Sequence, residues 1–176
     1  RDISIIIAIH DAPQVLRRCL ASVAHYAPKA EVILVDDGST LEETEELIQS
    51  FVSRNSWKLT RHKQARGHSR SCEAGAGVAT RPYLCLLNSD TVVTPWSWGA
   101  AVDAFEAEAR IGISGPTTSH SATAQAVIRA EFCRHHWTDS QVFAFAQKYV
   151  TRHAPRTWVD LPEAVSYTHL RAHETG

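Results

Sequence analysis

The 176-residue sequence contains no methionine. Without one a chain cannot begin at its own start codon, and Arg1-Asp2 leads straight into a strand pattern, which predicts a cut or a domain boundary at the amino end. Charge of one sign is also lacking, since 18 basic and 19 acidic residues leave a formal net charge of −1. So weak a field would not draw in DNA, RNA or an anionic membrane surface, and nucleic acid is not expected as a partner. The longest apolar run, residues 3–9 interrupted by Ser4, falls far below the roughly 20 residues that cross a bilayer, and no charged-then-apolar leader precedes it. No transmembrane segment is expected in this stretch, and the expected location is the cytoplasm or the inner face of the membrane. Cysteine is sparse: Cys19, Cys72, Cys85 and Cys133 are far apart, with no C-x-x-C pair and no histidine at zinc-ligand spacing. They are expected as reduced thiols. Of the ten histidines only His135 and His136 are adjacent, and neighbours on a strand point to opposite faces, so ordinary surface or core roles are expected of them.

What is present fits one α/β domain with a single core: 44% of the residues are hydrophobic and 21% charged. Ile3-Ser4-Ile5-Ile6-Ile7-Ala8-Ile9 is the near-continuous β-branched pattern of a strand buried on both faces of a parallel sheet. Asp11 then reads as an N-cap with Pro13 in the first turn of a helix that runs to about His25. Glu31 to Val35 reads as the second strand, and Asp36-Asp37-Gly38-Ser39 as the turn into an acidic helix carrying Glu42, Glu43, Glu45 and Glu46 near its positive end. Residues 57–62 alternate as a half-exposed strand does, and 63–67 form a polar loop. A helix of small residues over 69–79, a buried strand at 83–87, a helix from Thr94 to Phe105 and a short strand at 111–115 follow. Residues 139–152 form one amphipathic helix, and a further strand is expected near Trp158-Val159-Asp160-Leu161. Strands alternating with helices predict a doubly wound, mostly parallel sheet with helices on both faces.

In such a sheet ligands bind off the carboxyl ends of the strands, where the chain order reverses. Each strand delivers polar groups to that edge: His10-Asp11, Asp36-Asp37-Gly38-Ser39, residues 63–67, and Asn88-Ser89-Asp90. Asp36 and Asp37 would repel one another unless a donor, a cation or a sugar hydroxyl separates them; one is expected to cap structure and the other to bind ligand.

The order of these segments, a buried strand ending at His10-Asp11, then Val35-Asp36-Asp37-Gly38-Ser39, a small-residue helix, Leu86-Leu87-Asn88-Ser89-Asp90-Thr91 and Pro95-x-x-Trp98, resembles the nucleotide-binding half of GT-A glycosyltransferases of family 2, the rhamnosyl- and related surface-polysaccharide transferases especially. The resemblance covers roughly residues 3–116. It implies a GT-A (Rossmann-like) fold with residues 1–116 as the nucleotide-sugar-binding part and 117–164 as the start of the acceptor side. It implies transfer of a sugar from a UDP- or dTDP-linked donor to the hydroxyl of a glycan or lipid-linked acceptor, with inversion. Ala8 and His10 would line the base pocket, with His10 in place of the family's usual aromatic ring; Asp37 would bind the imide edge of the base or a ribose hydroxyl, while Asp36 holds the loop. Arg66 and Gly67 would meet the ribose and diphosphate. Asn88-Ser89-Asp90 stands at the place of the family's Asp-x-Asp motif, so Asp90 would coordinate a Mg²⁺ or Mn²⁺ bridging the phosphates, hard oxygen chemistry suited to that metal.

Three departures mark the sequence. Asn88 replaces the first acid of the motif, and Cys72-Glu73 stand where the family commonly has Arg-Asn. The carboxylate that would deprotonate the acceptor follows the acceptor-side strand in the family, and Asp160, in the strand leading in, is a poor substitute. Donor binding without turnover is therefore expected of this stretch. Residues 165–175 resemble one reading frame of a transposase-type sequencing adapter, translated as if it were gene; the segment has no apolar period, and natural sequence is expected to stop near Ala164, leaving 165–176 a non-native tail. Other functions fit the same residues less well. A dinucleotide-dependent oxidoreductase needs G-x-G-x-x-G where this chain has His10-Asp11-Ala12-Pro13. A receiver module needs an aspartate after the third strand, and a nucleotidyltransferase a Gly-rich basic loop after the first. A non-catalytic sugar-nucleotide-binding or scaffold domain fits Asn88 and the unassigned base.

Overall fold

The computed structural model describes residues 2–115, 138–152 and 169–172. Its centre is β1 (Ile3–Ile9), the isoleucine-rich run, which pairs in parallel with β2 (Glu31–Asp37) on one side and β4 (Tyr83–Asn88) on the other. β3 (Lys58–His62) extends the sheet beyond β2, also in parallel. On the far side β6 (His169–Ala172) pairs antiparallel with β4 and with β5 (Ile113–Ser114), giving the order β3-β2-β1-β4-β6-β5. The chain thus moves outward from β1 through β2 to β3 and then returns to lay β4 against β1's other edge. That reversal puts the crevice for a ligand at the carboxyl ends of β1 and β4.

Period-two alternation sorts the strand residues into two layers. Ile3, Ile5, Ile7 and Ile9 of β1, with Val32 and Leu34 of β2 and Cys85 and Leu87 of β4, pack against Leu16, Cys19, Leu20 and Val23 of α1 (Pro13–Tyr26) and Leu47 and Ile48 of α2 (Glu42–Asn55). Ile6, Ile33, Val35 and Leu84 face the other way, toward Ala74 and Ala76 of α3 (His68–Ala76). α3 lies very close: a Cβ on Gly75 would collide with the side chains of Ile6 and Val35. Small residues in α3 are what allow this approach, and close approach brings its amino end up to the carboxyl ends of β1 and β2.

α4 (Gly99–Ala107) and α5 (Asp139–Arg152) complete the helices among the described residues. The expected parallel strands and their helices are present, with four differences. Asp36 and Asp37 belong to β2 itself rather than to the turn after it, because β3 continues the ladder opposite them (Asp36↔Arg61, Asp37↔His62). α3 ends at Ala76, three residues early, where Gly77 closes the last turn. Residues 95–98 form a turn, stapled by the Thr94 amide donating to Ser97 Oγ at 2.8 Å, and α4 starts only at Gly99. Residues 169–172, inside the segment whose lack of apolar period predicts no element, pair as β6. The strand expected near Trp158 to Leu161 lies outside the described residues.

At the sheet's opposite edge Glu31 acts as a tie. Its carboxylate accepts from Lys58 Nζ at 2.6 Å, from the Ser4 hydroxyl and from both the amide and hydroxyl of Thr80 at 2.8 Å. Burial would raise its pKa, but these donors outweigh burial and hold it at about 2 against an ordinary 4.5.

Candidate functional site

The alternation that builds the core also aims the polar residues at the carboxyl edge. Even-numbered positions of β1 and β4 and odd-numbered positions of β2 share the α3 face, so Ala8, Asp37 and Asn88 fall on one face, and Ala8 is the register partner of both Val35 and Asn88. His62, opposite Asp37 on β3, joins them. Asp36 and Arg61 point to the α2 face. The two adjacent acids therefore do not confront each other: each is paired with a basic group of β3 on its own side of the sheet.

Asp36 is tied into the protein on the α2 side of the sheet. Its Oδ1 accepts from the Ser39 amide at 2.9 Å and its Oδ2 lies 3.0 Å from Arg61 Nε, while Arg61 reaches Glu45 of α2 with its other nitrogen at 2.7 Å. Between the acids and α2, Gly38 sits at φ +72, and a Cβ there would lie 2.7 Å from the Ala65 amide nitrogen. Both the left-handed backbone and the loop pressed onto it require glycine.

Asp37 is the hub. Its Oδ1 accepts from His62 Nδ1 and from the Arg66 amide, both at 2.8 Å, and its Oδ2 from the Gly67 amide, also at 2.8 Å. Its backbone carbonyl accepts from His10 Nδ1 at 2.9 Å, which fixes the plane of the otherwise exposed His10 ring. A carbonyl only accepts, so the His10 proton sits on Nδ1. Burial of Asp37 would raise its pKa; the His62 ring, the Arg66 and Gly67 amides and the Ser71 hydroxyl overcome that and hold it at about 2 against an ordinary 3.8. The carboxylate expected to meet a ligand is thus already drawn onto the 63–67 loop.

Asp11 has a different job from the one its position suggests. It does not cap α1, whose N-cap is Ala12 at φ 57 with no side-chain bond. Asp11 itself is at φ 54, and its carboxylate swings across to α2, accepting from the Thr40 and Leu41 amides at 2.9 Å and from the Thr40 hydroxyl at 3.1 Å. The Asp11 amide in turn donates to Ser39 Oγ at 3.0 Å. Two loops are thereby fastened together beside the crevice, at the expense of two consecutive left-handed residues, about 1–2 kcal/mol each.

Asn88 ends β4, and Ser89 and Asp90 form the turn after it. The Asn88 carbonyl accepts from the Thr91 amide at 3.2 Å and from the Cys19 thiol at 3.5 Å. Asp90 is exposed, and no hydrogen bond or ion pair among the described residues holds its carboxylate. Burial first, and the nearby Asp90 charge second, push the Cys19 thiol up to about 12. Among the described residues no group of three or more His, Cys, Asp and Glu side chains is arranged to hold a metal. Cys19, Cys72 and Cys85 are free and buried, as expected of reduced thiols, and Cys133 lies outside the described residues. Cys72 lies 3.7 Å from the His68 ring on α3, and burial raises its pKa. Asp160 too lies outside the described residues.

The structure thus brings Ala8, His10, Asp37, Arg66, Gly67 and Asn88 to one edge, six of the nine expected positions, directly or by register. Asp36 turns to the other face, and Ser89 and Asp90 stand in the turn beyond Asn88. His62 escaped notice in the sequence; its signal is that Arg61-His62 ends the strand following the one that ends in Asp36-Asp37, a basic pair matched to an acidic pair.

A parallel sheet reversing at β1 and β4, with polar loops gathered at that point, is the fold of the GT-A glycosyltransferases. It is shared with a mannosyltransferase from Pyrobaculum calidifontis solved with GDP-Man and Mn²⁺ (TM-score 0.58, 17% identity, 64% of this chain and 34% of that one) and with residues 1–349 of TarS from S. aureus (TM-score 0.55, 18% identity, 64% of this chain and 34% of that one). A sequence profile described as glycosyl transferase family 2 matches residues 4–153, and the chain belongs to that family. A poly-β-1,6-N-acetyl-D-glucosamine synthase of Staphylococcus epidermidis is 25% identical over 111 residues, 62% of this chain; the chain spans about a quarter (27%) of that relative's length. No helix among the described residues is long and apolar enough to cross a membrane.

Proposed function

We propose that this chain is the donor-binding part of a transferase that moves a sugar, with inversion, from a UDP- or dTDP-linked donor to the hydroxyl of a glycan or lipid-linked acceptor. The observation that carries the reading is the bonded set His10, Asp37, Arg66 and Gly67 beside Ala8 and Asn88, at the point where the sheet order reverses. His10, its ring plane fixed by the Asp37 carbonyl and its face open to solvent, offers the base a surface to stack on. The Arg66 guanidinium, exposed on the loop, supplies charge for the diphosphate.

Mg²⁺ or Mn²⁺ fits what is present. Asp90 is an exposed hard-oxygen donor and Asn88 stands near it at the end of β4; one or two protein oxygens completed by phosphates and water is how such ions are usually bound. When bound, the ion would neutralise charge on the departing nucleoside diphosphate. The carboxylate that activates the acceptor is not assigned among the described residues, and the 176-residue chain is proposed to bind donor without transferring from it. The polysaccharide synthase relative supports a glycan as the acceptor class of the whole protein.

Calorimetric titration with UDP, dTDP and GDP tests the reading. Binding of UDP or dTDP well ahead of GDP is expected; a folded chain that binds none of the three belongs to the scaffold alternative. Release of free sugar or transfer to an added glycan by this chain would overturn the assignment of binding without turnover.

A further inference from the structure

The loop 63–67 has no anchor of its own. Lys63, Gln64, Ala65, Arg66 and Gly67 are all exposed, so no buried side chain fixes where the loop sits. Two things do: the backbone of Gln64 and Ala65 rests on Gly38, and the Arg66 and Gly67 amides are held by Asp37 at 2.8 Å. Contact with Gly38 limits how close the loop can come but does not draw it in. The pull comes from the Asp37 carboxylate.

That carboxylate is itself aimed from the neighbouring strand by one side chain. His62 is its cross-strand register partner, lies almost wholly buried (side chain 10% exposed, Asp37 7%), and places Nδ1 2.8 Å from Asp37 Oδ1. Asp37 is ionised and can only accept, so the proton between them belongs to His62 Nδ1. We infer that His62 is a positioning residue for the nucleotide site: by donating Nδ1–H to Asp37 it fixes the carboxylate that gathers the Arg66 and Gly67 amides and so places the 63–67 loop. The effect on ligand rests on the donor-binding function proposed above; the effect on the loop does not.

Two variants and two readouts test this in the 176-residue chain. His62→Ala removes the donor, whereas His62→Asn retains an N–H donor at the position of Nδ1. Hydrogen exchange of the Arg66 and Gly67 amides reports the clamp, and calorimetric titration with UDP and Mn²⁺ reports the ligand. In His62→Ala both amides should exchange at least about tenfold faster and UDP affinity should fall by about tenfold, with His62→Asn recovering most of both. Asp37→Asn should give the same exchange phenotype, and adding His62→Ala to it should change little further. Unchanged exchange of the two amides in folded His62→Ala overturns the inference, as does accelerated exchange with unchanged UDP affinity, which would leave His62 a purely structural partner. If His62→Ala does not fold, Asp37→Asn and His62→Asn decide: slow exchange in Asp37→Asn, or fast exchange in His62→Asn, overturns it. Failure of the unmodified chain to bind UDP while its two amides stay protected removes the proposed function and the role at the nucleotide with it, and leaves the clamp to be judged by exchange alone.

Discussion

A carboxylate held at about 2 by its hydrogen-bond donors makes folding depend on acid in a defined window. Asp37 is ordinarily protonated near 3.8, so between those values the unfolded chain binds the proton and the native chain does not. Its stabilisation is complete above the ordinary value and is lost as the pH falls toward about 2. Glu31, lowered from 4.5 to about 2, acts in the same direction at the other edge of the sheet. Urea midpoints measured from pH 5 to pH 2 should therefore fall steadily, with Asp37→Asn and Glu31→Gln each flattening part of the decline. A slope unchanged in both variants would contradict the hydrogen bonding described for them. At Gly38 the expectation concerns space: Gly38→Ala adds left-handed strain and a Cβ at 2.7 Å from the Ala65 amide, so it should cost about 2–4 kcal/mol by denaturant unfolding. A loss under about 1 kcal/mol would mean that the loop lifts freely. Much of this was legible: the acidic pair, Gly38 and the loop stand out in the sequence. What could not be read was where each acid turns, because that depends on the register Asp37↔His62, which only the paired strands reveal.

Elements are joined here by residues that serve a neighbour rather than their own segment. Asp11 precedes α1 and reads as its cap, yet its carboxylate holds the Thr40 and Leu41 amides just ahead of α2. Local sequence cannot distinguish the two, since the choice follows from how the first and second βα turns meet in space. Asp11→Ala should lower the urea midpoint, whereas Asp11→Asn should lower it little, because Asn keeps an acceptor and tolerates φ near 54. Equal losses in the two variants would show that the carboxylate charge, not the cap geometry, matters. The strands of the parallel core were legible for the opposite reason: β1 is buried on both faces, so its composition alone declares it. β6 was not, because a four-residue strand of mixed character has no period to read, and its place between β4 and β5 is set by partners distant in the chain.

For the molecule as a whole, fold and family agree: a GT-A sheet and a family 2 profile over residues 4–153. Function at this scale rests on the reversal between β1 and β4, which draws Ala8, His10, Asp37, Arg66, Gly67 and Asn88 to one edge and leaves Asp90 exposed just beyond it. In the proposed function this edge binds a nucleoside diphosphate with a metal held by Asp90. The most direct test is UDP affinity with and without Mn²⁺, in the unmodified chain and in Asp90→Ala. Binding that tightens at least about tenfold with Mn²⁺ in the unmodified chain, and loses that gain in Asp90→Ala, is predicted. Equal tightening in both proteins would contradict the role given to Asp90, and no UDP binding by the folded chain under either condition would contradict the site itself.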